Sequence, residues 1–217
     1  MGQKVNPISF RLGNTLSWKS RWYADGAAYA STLLEDYRIR RALKDKLSGA
    51  GVVTIGIERS PSALTIILHV AKPGVVIGKG GSNLEEVKKV VERLVNVSKS
   101  KKDRVKIDLK VEEVQQPDLS AKLVAERITN QLQKRFPHRR AVSQALEKAM
   151  QAGAKGIKIE LSGRIGGAEI GRREKYSEGS VPTQTLRAKI DYYQAPIPTR
   201  SGYVGLKVWI YTGDAVE

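Results

Sequence analysis

The sequence contains no cysteine and only two histidines, His69 and His138. Disulfides and thiolate metal sites are therefore excluded. His69 falls in a strand-like segment and His138 at a helix junction, so neither a metal centre nor a Ser-His-Asp arrangement is expected. The carboxylate pairs Glu85-Glu86 and Glu112-Glu113 fall on helix and strand surfaces rather than in a cleft. Together these absences argue against an enzyme. No segment reaches the roughly 18 apolar residues of a membrane helix, and no basic interfacial helix stands out. Met1 to Pro7 carries no apolar signal-peptide core, and Asn6 stands where N-myristoylation would want Ser or Thr. Aromatics are scarce. Trp18, Trp22 and Tyr23 cluster near the start, and Tyr192, Tyr193 and Tyr203 near the end. They read either as packing or as stacking surfaces for bases.

What is abundant is positive charge. The 217 residues carry 38 Lys and Arg against 22 Asp and Glu, a net charge of +16. Dividing at Gln115 leaves +9 before the cut and +7 after it. The charge is thus no detachable tail, and both halves suit a polyanionic partner.

The most informative segment is Lys72 to Ser82, with Gly78-Lys79-Gly80-Gly81 at its centre. It follows the apolar triplet Val75, Val76, Ile77. Glycines flanking a two-residue tip let another backbone come close, and Lys79 adds a cation where a phosphate would lie. The bland reading is a turn between helices. A P-loop is excluded, because Pro73 stands at its first glycine and Gly80 follows the lysine. A dinucleotide fingerprint fails at Asn83.

The flanking pattern raises the loop above a turn. A helix of about residues 27 to 48 is expected, with Leu33, Tyr37, Ile39, Leu43 and Leu47 as its apolar positions. Two strands follow, Val53-Ile55-Ile57 and Leu64-Ile66-Leu68-Val70, joined by the turn-rich Arg59 to Ser62. After the loop, Ser82 and Glu85 form a capping-box pattern, and Leu84, Val87, Val91 and Leu94 repeat at helical spacing. A third strand carries Val105, Ile107, Leu109 and Val111. Helix, strand, strand, GXXG, helix, strand is the order of a type II KH domain, a module that clamps about four nucleotides.

Gln115 to Asp118 breaks the pattern. The expected division is an extension (1–16), a KH domain (17–115) and a C-terminal domain (116–217). In the last, Ala121, Val124, Ala125, Ile128 and Leu132 mark one helix, and Val142, Ala145, Leu146 and Ala149 a second that ends at Gly153. Strands are expected around Ile157–Leu161, Ala168–Tyr176, Leu186–Tyr192 and Leu206–Ile210, with a turn over 195–202. The fold class is α+β, two helices on a mostly antiparallel sheet. Arg139-Arg140 opens the second helix, where cations oppose the macrodipole. They read as a solvated pair or as a site with a use outside the fold. Glycine-rich 162–169 precedes Arg172, Arg173 and Lys175, which read as phosphate contacts or as a charged strand after a hairpin loop.

Long motifs resemble one family over nearly the whole chain. Gly2-Gln3-Lys4-Val5-Asn6-Pro7, Phe10-Arg11-Leu12-Gly13 and Trp22-Tyr23-Ala24 carry the resemblance at the start, and Lys72 to Gly81 in the KH half. Gly153 to Lys158, Ser162 to Ile170, Thr185 to Ala188 and Gly205 to Ile210 carry it in the second half. These resemble the third protein of the bacterial small ribosomal subunit. The resemblance implies a cytoplasmic ribosomal protein, with an organellar ribosome as the alternative. It implies binding to 16S rRNA in the subunit head and to mRNA where mRNA enters. Head proteins numbered ten and fourteen would be partners. No cofactor, small-molecule substrate or membrane is implied. Lys4, Arg11, Arg164, Arg172, Arg173, Lys175 and Arg187 are the expected rRNA contacts. Arg139 and Arg140 match two family positions credited with opening mRNA duplexes; the third is Ser143, where the family has a lysine. Ser180 likewise replaces an expected arginine. A free KH-type RNA regulator is the rival reading, and the second domain argues against it.

Overall fold

The structure, a computed structural model, describes residues 3–96 and 105–214; Gly2 of the opening motif lies outside them. The described chain groups into two units. One is Trp18–Gln115. The other joins the start of the chain, through Ser17, to the residues from Gln116 onward.

In the Trp18–Gln115 unit, a four-stranded sheet of order β1-β2-β3-β4 comprises β1 (Ser20–Arg21), β2 (Val52–Arg59), β3 (Ala63–Val70) and β4 (Lys106–Glu113). The β2–β3 hairpin is antiparallel, and β4 lies parallel to β3 with Leu64 opposite Ile107. The two-residue β1, unforeseen from the sequence, adds a parallel edge opposite Ile57 and Glu58. A bulge between Val52 and Thr54 shifts the start of β2, so Val52, not the expected Val53, enters the core.

Helix α2 (Gly26–Lys46) presents Ile39 and Leu43, with Leu47 just beyond it, to this sheet. Leu33 and Tyr37, expected on the same face, stay 49% and 61% exposed. At about 100° per residue, Tyr37 lies roughly 120° and Leu33 roughly 80° round from Leu43. Asp36, only about 20° from that seam, is buried instead. It is matched there: Arg59 donates two hydrogen bonds to Oδ1 (2.9 and 2.6 Å), and Trp22 Nε1 donates to Oδ2 at 2.8 Å. Helix α4 (Ser82–Asn96) buries Val87, Val91 and Val95 on one face. Its expected capping box is not built. Ser82 has φ −56° and ψ −41°, already helical, whereas a capping residue is extended.

The second unit is one antiparallel sheet of order β6-β5-β8-β7: β5 (Gly156–Gly163), β6 (Arg172–Gly179), β7 (Ala188–Thr199) and β8 (Gly202–Asp214). Helices α5 (Ala121–Gln133) and α6 (His138–Gln151) cover one face. Ala125, Ile128, Val142, Ala145 and Ala149 meet Ile157, Ile159, Leu161, Leu206, Val208 and Ile210 there. Alanines at the helix contacts let the backbones approach the sheet. The expected turn over 195–202 shrinks to a tight hairpin between Thr199 and Gly202, because β7 runs on through Pro196 and Pro198. A proline cannot donate to a ladder, but β7 is an edge strand, and edges tolerate the missing N–H.

Before these elements, α1 (Pro7–Arg11) binds the second unit through Arg11, which is fully buried. Its guanidinium donates to the carbonyls of Pro7, Pro182, Thr183, Thr185 and Ala188 at 2.7–3.4 Å. The expected rRNA contact at Arg11 is therefore corrected. Its donors are spent inside the protein, where they fasten the 182–188 segment and the start of β7.

Candidate nucleic-acid interface

The GXXG loop connects α3 (Pro73–Ile77) to α4 through a single 3-10 turn, Lys79–Gly81. Gly78 adopts φ 71°, ψ −175°, a region open to little but glycine. A Cβ there would also sit 2.8 Å from Asn83 Cβ. Asn83 in turn donates Nδ2 to the Val75 carbonyl at 2.7 Å, tying the first turn of α4 to α3. Gly80 is different: φ is 60° and nothing lies within 4 Å of a built Cβ, so the tip faces open space. Lys79 is exposed beside it. The open tip at Gly80 and the exposed Lys79 stand immediately before the start of α4, and a helix start favours an anion. Of the apolar triplet only Val76 is buried, and Val75 and Ile77 stay exposed next to the loop. Their exposure escaped the sequence reading, because three consecutive apolar residues carry no phase.

The second group lies at the start of α6. Arg139, Arg140 and Ser143 are exposed within its first two turns, and no carboxylate pairs with either arginine among the described residues. Beside them, Glu174 accepts from Tyr176 at 2.6 Å, Arg172 Nε at 2.7 Å and the His138 ring at 3.1 Å. The Tyr176 hydrogen bond, then the charges of Arg172 and His138, hold the Glu174 carboxyl below its ordinary value against the opposing effect of burial. Burial and the Glu174 bond raise the Tyr176 hydroxyl, and the Arg139 cation pulls the other way. A carboxylate near the helix start offsets the unfavourable arginines.

The expected run Arg172, Arg173, Lys175 is split by the pleat. Arg172 shares the helix-covered face with Glu174 and Tyr176, while Arg173 and Lys175 project from the open face, opposite Ser162 and Glu160. Arg164 folds over its own loop, donating to the carbonyls of Ala168 (2.8 Å) and Ser201 (3.4 Å). Arg187 is exposed and pairs with Asp214 at 3.3 Å, and Lys4 is exposed. Among the described residues no group of three potential metal ligands occurs, and no helix is long and apolar enough to cross a membrane.

A type II KH unit with an open GXXG loop defines a class, the modules that clamp a nucleic-acid backbone between glycines and a helix start. The KH domain model matches residues 38–119, and the model for ribosomal protein S3, C-terminal domain, matches 128–210. The small ribosomal subunit protein uS3 of Lachnoclostridium phytofermentans is 50% identical over 216 residues, covering 100% of this chain and 94% of that protein. That of Caldicellulosiruptor saccharolyticus is 48% identical with the same coverage, and that of Persephonella marina 47% identical over 99% of this chain and 91% of its own length. The chain belongs to the uS3 family.

Proposed function

We propose that the chain is a structural, non-enzymatic constituent of the small ribosomal subunit, in a cytoplasmic ribosome. It binds 16S rRNA in the subunit head and lines the channel through which mRNA enters. Similarity to uS3 proteins over the full described length carries this reading, and charge on both halves supports it. The head proteins numbered ten and fourteen are its proposed neighbours. The GXXG loop, Gly78 to Gly81, offers a strand clamp. Lys4, Arg164, Arg173, Lys175 and Arg187 offer phosphate contacts, and Arg172 only the part of its fork that Glu174 leaves free.

The finer reading concerns α6. Arg139, Arg140 and Ser143 share one face at helical spacing, and the two arginines stand where they do not help the helix. Phosphate contacts of this kind hold an incoming strand without reading its sequence. Ribosomes carrying Arg139→Ala with Arg140→Ala should slow on a stable mRNA hairpin more than on a matched linear message. Ser143→Lys should act in the opposite sense by adding a third cation. Equal slowing on both messages, or none, would leave these arginines as ordinary surface charge.

A further inference from the structure

The open face of the second sheet gathers cations that lie far apart in sequence. Glu160 of β5 stands opposite Lys175 of β6 on one side and Lys207 of β8 on the other. Arg173 reaches the same carboxylate diagonally, Nε to Oε1 at 3.2 Å. Two residues along β5, Lys158 lies over the Trp209 ring, 5.3 Å from its centroid. Lys4 of the extension approaches Lys158, and burial together with Lys4 and Lys175 pushes the Lys158 ammonium below the ordinary lysine value. Glu160 is the one carboxylate that β5 and β6 place on this face, since Glu174 and Glu178 stand opposite Leu161 and Ile157 on the other. Five cations around one carboxylate leave a net charge of +4.

Cross-strand neighbours sit about 5 Å apart and next-nearest residues on one strand about 7 Å apart. Four of these cations, Lys158, Arg173, Lys175 and Lys207, are therefore carried on a sheet at fixed backbone spacing, which reduces what ordering them on a ligand would cost. Like charges kept this close repel in the free protein, and a polyanion relieves that repulsion. The ring inside the cluster is not open to bases, and the exposed ring on this face, Tyr203 at 74%, stands beyond the cluster, toward the start of β8. Trp209 is only 7% exposed, covered by Lys158 and by Tyr192 at a ring distance of 5.2 Å. A cluster of cations with no free ring among them favours a backbone whose bases are already paired, and Tyr203 lies outside that cluster.

We propose that the open face of the second sheet, built on Lys158, Arg173, Lys175 and Lys207 around Glu160, docks the phosphate backbone of base-paired RNA. The proposal rests on the RNA-binding reading above and adds to it a site distinct from the GXXG loop, in which Lys158 and Lys207 are new. Glu160 is its positioning residue, holding Arg173 against the sheet.

The test uses the full chain and a mixed-sequence RNA duplex of about 16 base pairs, the length a duplex-binding module spans, titrated over a range of salt. Lys158→Gln with Lys207→Gln should weaken duplex binding for every sequence alike and reduce the log–log salt slope by about 2. Arg173→Gln with Lys175→Gln, on the exposed edge strand, reads the same face should the first pair disturb the sheet; thermal midpoints check the fold of each. Gly80→Asp should lower affinity for single strands and spare the duplex. Unchanged duplex affinity and slope in both glutamine pairs, or a loss confined to single strands, overturns the proposal. Sedimentation of the wild-type chain with small subunits tests the underlying reading separately. Sedimentation with intact duplex binding in both pairs removes this face alone.

Discussion

Gly78 and Gly80 differ in what they would accept, and the difference separates the fold of the loop from its use. Gly78 combines a glycine-only conformation with a Cβ position 2.8 Å from Asn83. Gly78→Ala should destabilise the Trp18–Gln115 unit by about 1–3 kcal/mol, seen as a lower urea midpoint. Gly80 sits in the left-handed region with open space outside, and aspartate tolerates that region better than most residues. Gly80→Asp should leave the midpoint nearly unchanged and place a negative charge where a phosphate would approach. Single-strand RNA affinity should then fall severalfold. An affinity equal to wild type would mean the KH groove serves as scaffold only. The same scale shows why Arg11 misled. Its type and its place in an extension suggest a surface cation, and only the tertiary fold brings five carbonyls round it.

At the scale of elements, α4, α5, α6 and β3 were legible because each has a single apolar phase of adequate length. Helix α2 was half legible. Its sequence offers several apolar positions, and which stripe faces inward is decided by Arg59, on a strand far along the chain, pairing with Asp36. The long β7 was hidden by Pro196 and Pro198, which read as a turn unless the strand is known to be an edge. The candidate site divides in the same way. The GXXG loop is contiguous and could be read directly. The cluster around Glu160 could not, because cross-strand register assembles it from β5, β6 and β8. The junction of β6 with α6 makes a testable element. Glu174 has its folded value lowered, so its contribution is complete above the unfolded value near 4.5 and lost as pH falls through the lower, folded one. Thermal midpoints of wild type and Glu174→Gln should differ at neutral pH and converge below about pH 4.5. A gap that persists to the lowest pH at which both remain folded would contradict that assignment.

As a whole molecule, the chain carries +16 with opposite charges interspersed on both halves. Such a surface repels its own copies and concentrates polyanions. Charge guards one border of the second sheet, since β6 carries Arg172, Arg173 and Lys175. The other border, β7, is twelve residues long and would be an open template for a second chain. Arg11 occupies the carbonyl of Ala188 at its start, and Pro196 and Pro198 remove two N–H groups toward its end. Once RNA neutralises the charge, self-repulsion no longer keeps copies apart, and the strand border becomes the exposed weakness. The two prolines then act as a safeguard that salt and RNA cannot switch off. Pro196→Val with Pro198→Val should leave the purified protein soluble at low salt. It should make turbidity and thioflavin fluorescence rise when RNA is added below saturation, while the wild-type chain stays clear. Equal turbidity in both would place the protection elsewhere. A proline pair that looks like a loop signal in the sequence is thus what lets a strongly cationic protein meet its polyanion without polymerising on the way.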